Sequence, residues 1–258
     1  MATSIDLNCD MGEGSGSDEE ILPHVTSVNI ACGYHAGDPA TMQNTVRLAN
    51  DHAVAIGAHP GLPDLAGFGR RVMQVTPQEV YDLVLDQALA LAAIARAAGA
   101  AVTHLKPHGA LYNMAAKDAA MAQAISEATY NFNPACILVG LAGSELIKAG
   151  ENAGLTTASE AFADRTYQAD GLLTPRQSAD ALIHDPAAAA ERVLKMVLHG
   201  TVTSQQGTQV PLRVDTICIH GDSPGAAGFA KAIRARLKRA GIEVKSLTKN
   251  NQSGRTHA

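Results

Sequence analysis

Short stretches in which polar and apolar residues alternate are separated by longer stretches in which apolar residues recur at helical spacing. Ile5–Asp10, Val28–His35, Val54–His59, Val102–His108, Ala135–Gly140, Thr156–Asp164 and Thr216–Asp222 read as strands, and Ile242–Leu247 as a weaker eighth. Helix starts are marked between them. Asp38-Pro39, Thr76-Pro77, Thr174-Pro175, Asp185-Pro186 and Ser223-Pro224 each place a capping side chain ahead of a first-turn proline. Glu79 follows Thr76 at capping-box spacing, and Gln177 follows Thr174. After Pro77, the residues Val80, Leu83, Val84 and Leu91 form an apolar stripe that ends near Gly99. Repeated strand-then-helix order predicts parallel βα units closed into an α/β barrel. No linker divides the chain, so residues 1–248 are expected to form a single domain, with 249–258 as a polar tail. Gln205–Gln209 reads as an excursion ahead of the seventh strand.

Side-chain parity assigns the faces. In the first strand Asp6, Asn8 and Asp10 fall together against Leu7 and Cys9. In the second, Asn29, Ala31, Gly33 and His35 oppose Val28, Ile30 and Cys32. Ala53, Ala55, Gly57 and His59 share a face in the third, His104, Lys106 and His108 in the fourth, and Cys218, His220 and Asp222 in the seventh. Small and polar residues inside, with bulky ones against the helices, predict a narrow barrel whose polar groups collect at the strand carboxyl ends, where barrel enzymes keep their chemistry.

Composition narrows the function classes. Across 258 residues the net charge is -5, with 17% charged residues, which gives no basic footprint for nucleic acid. A hydrophobic content of 46% with only 3% aromatic residues and no Trp fits an alanine-rich, helix-heavy soluble protein. No apolar run reaches membrane-spanning length, and MATSIDLN is no secretory signal, so a cytoplasmic protein is expected. The four cysteines, Cys9, Cys32, Cys136 and Cys218, lack CxxC spacing and read as reduced thiols.

Several constellations carry candidate chemistry. Asp10, His35 and His59 supply one carboxylate and two imidazoles, a set able to hold a divalent metal. Alternatively the histidines orient Asp10 as a general base acting on water. In His104-Leu105-Lys106-Pro107-His108-Gly109, Lys106 can stabilise a developing oxyanion or neutralise the first-strand carboxylates, and His108 can exchange a proton. The glycine-rich run Gly57–Arg71 offers a lid or a phosphate cradle through Gly67, Gly69, Arg70 and Arg71, although no GxxxxGK loop exists. Arg165, beside Glu160 and Asp164, can grip a substrate carboxylate or pair with those acids alone. His220-Gly221-Asp222-Ser223-Pro224 opens a helix whose amides can bind an anion, or that Asp222 simply caps. Cys9 and Cys32 have outward parity and read as small core residues, and Cys218 has no adjacent base in sequence, so Ser or Cys nucleophilic catalysis is not expected.

In order along the chain, DLNCDMGEG, NIACGYHAGDP, GAHPGLPDLAGFGRR, HLKPHGALYN, EAFADRTY and IHGDSP resemble the LamB/YcsF family, A subunits of ATP-dependent 5-oxoprolinase. The resemblance runs from about Ile5 to Leu247. It implies a deviant TIM-like (β/α) barrel of the glycoside hydrolase/deacetylase type, with seven strands, or eight if Ile242–Leu247 joins. It also implies ATP-coupled hydrolytic opening of 5-oxo-L-proline to L-glutamate in a complex with the B and C subunits. Asn8-Cys9-Asp10 is similar to the first-strand acid motif of metal-dependent deacetylases of that superfamily. On this reading Asp10, Lys106 and His108 are candidate catalytic residues, and Asn8, Glu160, Arg165, His220 and Asp222 candidate substrate contacts. ATP is the expected cosubstrate, used largely on a partner subunit because this chain has no nucleotide loop. Two other readings stand beside it: a stand-alone metal-dependent deacetylase or amidohydrolase, and a non-catalytic subunit that only binds 5-oxoproline.

Overall fold

The computed structural model describes residues 4–221 and 225–247. Seven parallel strands, β1 (Ser4–Met11), β2 (Ser27–Ala31), β3 (Ala55–His59), β4 (Val102–Leu105), β5 (Ile137–Leu141), β6 (Thr156–Phe162) and β9 (Thr216–His220), pair in that order. The ring closes because β9 pairs with β1, from Asp6 opposite Thr216 to Asp10 opposite His220. Between β6 and β9 the chain makes a separate antiparallel hairpin, β7 (Thr201–Thr203) and β8 (Gln209–Pro211), whose loop holds most of the predicted excursion. The eighth predicted strand is reduced to β10 (Glu243–Val244), which among the described residues pairs only with the start of β1 and is no stave of the barrel.

The helices α1 (Asp18–Ile21), α2 (Pro39–Asp51), α3 (Pro77–Ala97), α4 (Gly109–Ala115), α5 (Ala119–Phe132), α6 (Glu145–Asn152), α7 (Pro186–His199) and α8 (Ala226–Arg239) connect the strands. Three of the predicted caps form. Asp38 accepts from the Thr41 amide, Asp185 from the Ala187 amide, and Thr76 makes a complete capping box with Glu79. The stripe of α3 is buried at Val80, Leu83, Val84 and Leu91. Leu7, Val28, Ile30 and Ile56 are buried in the shell between barrel and helices, each contributing about 2 kcal/mol of apolar burial.

The cap at Thr174-Pro175 starts no helix. Its hydroxyl accepts from Gln168 Nε2 at 2.8 Å and its carbonyl from Arg165 Nη2 at 2.6 Å, while its amide donates to the Thr166 carbonyl. Those tertiary bonds hold the segment across the barrel mouth, and the next helix begins only at Pro186. The Ser223-Pro224 cap, Asp222 and the tail 249–258 lie outside the described residues. Among the described residues, no helix is long and apolar enough to cross a membrane.

Four strands are shorter at their carboxyl ends than the alternation predicts: β6 stops at Phe162 and β9 at His220, and β2 and β4 fall further short. β2 stops at Ala31 because positive φ angles at Gly33 and Gly37 turn the chain, so His35 sits in a loop. β4 stops at Leu105 because Pro107 has no amide hydrogen to give a ladder. Single backbone bonds nevertheless continue past it, from Lys106 N to Ala58 O and from His108 N to Pro60 O. The inward parity of Lys106 and His108 therefore survives although neither lies in a strand.

Candidate active site

The barrel interior is a column of polar side chains. At its floor, Asp6 accepts hydroxyl hydrogen bonds from Thr26, Ser27 and Thr216. Burial raises its pKa, and those donors offset only part of the rise. One layer up, Asn8 donates to Glu160 Oε1 at 2.9 Å and to Thr216 Oγ1 at 2.7 Å. Asn29 donates to Asn8 Oδ1 and to Asp10 Oδ1, both at 2.8 Å, and accepts from His104 Nε2 at 3.0 Å. The His104 ring occupies the space that a side chain at residue 57 would need, which explains the glycine there. Burial and the nearby Lys106 charge push His104 down to about 3, so it is neutral.

At the top of the column Lys106 joins three strands. Its Nζ donates to Asp10 Oδ1 at 2.8 Å, lies 3.0 Å from Glu160 Oε1, and approaches Cys218 Sγ at 3.1 Å. Glu160 also accepts from the Tyr112 hydroxyl at 2.8 Å. Burial alone would lower Lys106, but Asp10 above all, with Glu160, holds it well above the usual lysine range. Burial likewise opposes the Asp10 carboxylate, and the neighbouring His59 and Lys106 more than offset it, keeping Asp10 well below the usual carboxylate range. Lys106 thus neutralises the first-strand acid and is also placed at the edge of a cavity of about 480 Å³.

That cavity opens at the carboxyl ends of the strands and is lined by Asp10, Lys106, His59, His108 and His220 among others. On one flank His220 Nδ1 contacts Asp164 at 2.8 and 3.0 Å, and its ring stacks on Phe162. Burial lowers His220, but the Asp164 charge and hydrogen bond override it and raise the imidazole above its ordinary value. On the other flank His35, His59 and His108 meet Glu13, with Glu13 Oε1 3.2 Å from His35 Nε2 and 3.3 Å from His108 Nδ1. Burial, reinforced by the neighbouring histidines, holds His35 and His108 below the ordinary imidazole range.

Arg165 and Arg70 also line the cavity. Arg165 is buried; its Nη2 is tied to the Thr174 carbonyl, and its Nε has no hydrogen-bond partner among the described residues. It makes no ion pair with Glu160 or Asp164 among them. The predicted lid divides in two. Arg71 turns outward and pairs with Asp64, which also accepts from the Gly67 amide at 2.9 Å. Arg70 faces the cavity, with its guanidinium over the Phe68 ring. Gly69, at φ +63, passes so close to the histidines that an added Cβ would lie 2.7 Å from His35 Cβ and 2.8 Å from His108 Cδ2.

The LamB/YcsF family pattern matches residues 5–252. The chain belongs to the LamB/YcsF family. This LamB/YcsF protein is 57% identical over 253 residues to a protein of Geobacillus thermodenitrificans (strain NG80-2) named as the A subunit of 5-oxoprolinase, covering 96% of this chain and 99% of that one. It also matches the crystal structure of the lactam utilization protein from Thermus thermophilus, at TM-score 0.88 and 46% identity, over 95% of this chain and 100% of that one. A T48 deacetylase solved with substrate matches at TM-score 0.53 and 14% identity, over 99% and 93% of the two chains, and shares the barrel architecture.

Of the residues singled out in this LamB/YcsF sequence, Asp10, Lys106, His108 and His220 border one cavity, together with His59 and Arg165. Asn8 and Glu160 lie beneath it as partners of Lys106 rather than on its wall. His35 and His59 are grouped with Glu13 and His108 as donors close enough to share a metal ion, whereas Asp10 groups with Cys218 and His220. The structure adds Glu13 and Tyr112, which the motifs do not single out. Glu13 lies past the end of β1, where strand parity no longer applies, and Tyr112 reaches in from α4; only the glycines on either side of Glu13 hint at a special backbone there.

Proposed function

We propose that this chain is the A subunit of an ATP-dependent 5-oxoprolinase and that the barrel mouth hydrolyses the ring amide of 5-oxo-L-proline to L-glutamate. The observation that carries this reading is the meeting of an ionised Asp10, a charged Lys106 and an Asp164-backed His220 around one small cavity, with Arg165 on its wall. High identity along nearly the full length to proteins named as the A subunit of 5-oxoprolinase supports it.

A five-membered lactam is resonance-stabilised and favours closure, so water alone opens it poorly. Transfer of the ATP γ-phosphoryl group to the amide oxygen leaves an electrophilic ring carbon. Asp10 takes a proton from water as the water oxygen bonds to that carbon. As the C–N bond breaks, the new hydroxyl gives up its proton to solvent, the ring nitrogen takes a proton from His220, and an open-chain acyl phosphate remains. A second water displaces phosphate to leave glutamate. Lys106 stabilises the charge that develops on oxygen, and Arg165 holds the substrate carboxylate through its spare Nε–H. This chain contains no Walker loop, so phosphoryl transfer is assigned to the assembly with the B and C subunits.

The test is reconstitution. The purified chain, the B and C subunits, 5-oxo-L-proline and ATP are combined, and glutamate, ADP and phosphate are followed. All three products are expected only from the complete mixture. Hydrolysis of an N-acyl sugar or of the lactam by the isolated chain, indifferent to ATP, would contradict the proposal.

A further inference from the structure

The histidine flank has a feature that the proposed hydrolysis does not use. His59 Nδ1 lies 2.7 Å from the Lys106 carbonyl oxygen, and His108 Nε2 lies 2.8 Å from the Phe68 carbonyl oxygen. A carbonyl oxygen only accepts, so each ring, in the neutral form that a metal ligand requires, commits its hydrogen there. The opposite nitrogens, His59 Nε2 and His108 Nδ1, therefore carry lone pairs, and they face each other at 3.0 Å. Glu13 Oε1 points at the same spot, 3.3 Å from His108 Nδ1 and 3.8 Å from His59 Nε2, and His35 Nε2 stands 3.2 Å from it. Three electron-rich atoms thus converge, all within 4.8 Å of one another. Lone pairs in that arrangement repel unless a positive charge lies among them.

The spacing identifies the charge. A tetrahedral ion with bonds of about 2.05 Å has ligand-to-ligand edges of about 3.3 Å. The three separations among these atoms are 3.0, 3.3 and 3.8 Å. Carbonyl hydrogen bonds to the far nitrogens of His59 and His108 are the outer support that metal-ligating imidazoles usually have. The His35 ring stacks on that of His108, with centroids 3.8 Å and planes 4° apart, so no ion can lie in both ring planes; its Nε2 instead donates to the Glu13 carboxylate, and its Nδ1 has no partner among the described residues. We propose that His59 Nε2, His108 Nδ1 and the Glu13 carboxylate hold a divalent transition metal of the zinc class, with His35 supporting Glu13. Asp10 is outside the ligand set: its Oδ1 is taken by Lys106 and Asn29, and its carboxylate groups with Cys218 and His220 rather than with Glu13, His59 and His108. Three protein ligands leave one position open toward the cavity that they line, and tie the loop after β1, the end of β3 and the start of α4 together. The proposal does not depend on the lactam reading, since it concerns binding and not turnover.

The full chain is stripped with chelator, dialysed, and titrated with Zn²⁺ or Co²⁺. Elemental analysis is expected to find about one ion per chain, Co²⁺ to give the intense visible bands of a tetrahedral site, and Zn²⁺ to raise the melting temperature. Glu13→Gln and His108→Gln should each weaken Zn²⁺ binding by roughly tenfold or more, the least that disturbing such a centre costs. Asp10→Asn should keep both the stoichiometry and the Co²⁺ spectrum. Absence of stoichiometric binding would overturn the proposal and leave a shared proton between the rings. Loss of binding in Asp10→Asn with retention in Glu13→Gln would overturn it equally. Circular dichroism of the stripped variants checks folding, and should His108→Gln fail to fold, the isosteric loop variant Glu13→Gln decides.

Discussion

The two flanks of the barrel mouth use the same side chain in opposite ways. His220 is backed by a buried carboxylate, Asp164, and is held above its ordinary pKa, whereas His108 is backed by a carbonyl, packed against two other imidazoles, and is held below. One flank stores a proton, and the other presents lone pairs. Lys106 and Asp10 stand between them and share a hydrogen bond. The difference shows that the role of a histidine in this barrel is set by what its far nitrogen touches, which no spacing in the chain encodes.

The largest expected effect comes from removing the group between the flanks. Lys106→Met leaves Asp10 and Glu160 buried without their shared cation, and breaking such a pair costs about 3–5 kcal/mol. Denaturant unfolding should show that loss, and glutamate formation should fall to background; unchanged stability would mean that the two acids do not depend on Lys106. Next is Gly57→Ala, whose methyl group would overlap the His104 ring. Overpacking of that kind costs about 1–3 kcal/mol, measurable by thermal melting, and a neutral result would mean that the interior has slack the structure does not show.

A smaller effect separates the flanks directly. As an acid, His220 works only while protonated, so activity should fall as pH rises through its raised pKa. Burial and the charge of Arg176 lower that pKa, while Asp164 and then Asp10 raise it. Asp164→Asn removes the larger raising contribution, so the alkaline limb of the pH–rate profile should move to lower pH. A limb that stays in place would remove His220 from the acid role. Smallest of all, Arg71→Ala removes one donor from the buried Asp64, which keeps the Gly67 and Arg71 amides, and should lower the melting temperature slightly while leaving turnover unchanged, in contrast to Arg70→Ala, which should weaken substrate binding.

Much of this architecture is legible in the chain. Alternation locates all seven staves, and parity places Asp10, Lys106 and Cys218 inward because their neighbours are ladder-bonded. What escapes lies past the ends of the strands. Glu13 and His35 are delivered by glycine turns, and Tyr112 by a helix whose orientation is set by packing. Thr174-Pro175 misleads for the related reason that its capping groups find tertiary partners first.

The most direct measurement is glutamate release by the complex reconstituted with Asp10→Asn in place of the wild-type chain. No glutamate formation is predicted, with the circular dichroism spectrum and assembly with the B and C subunits unchanged. Turnover at the wild-type rate would contradict the role of Asp10 as base, because no other carboxylate on the cavity wall is joined to Lys106 among the described residues.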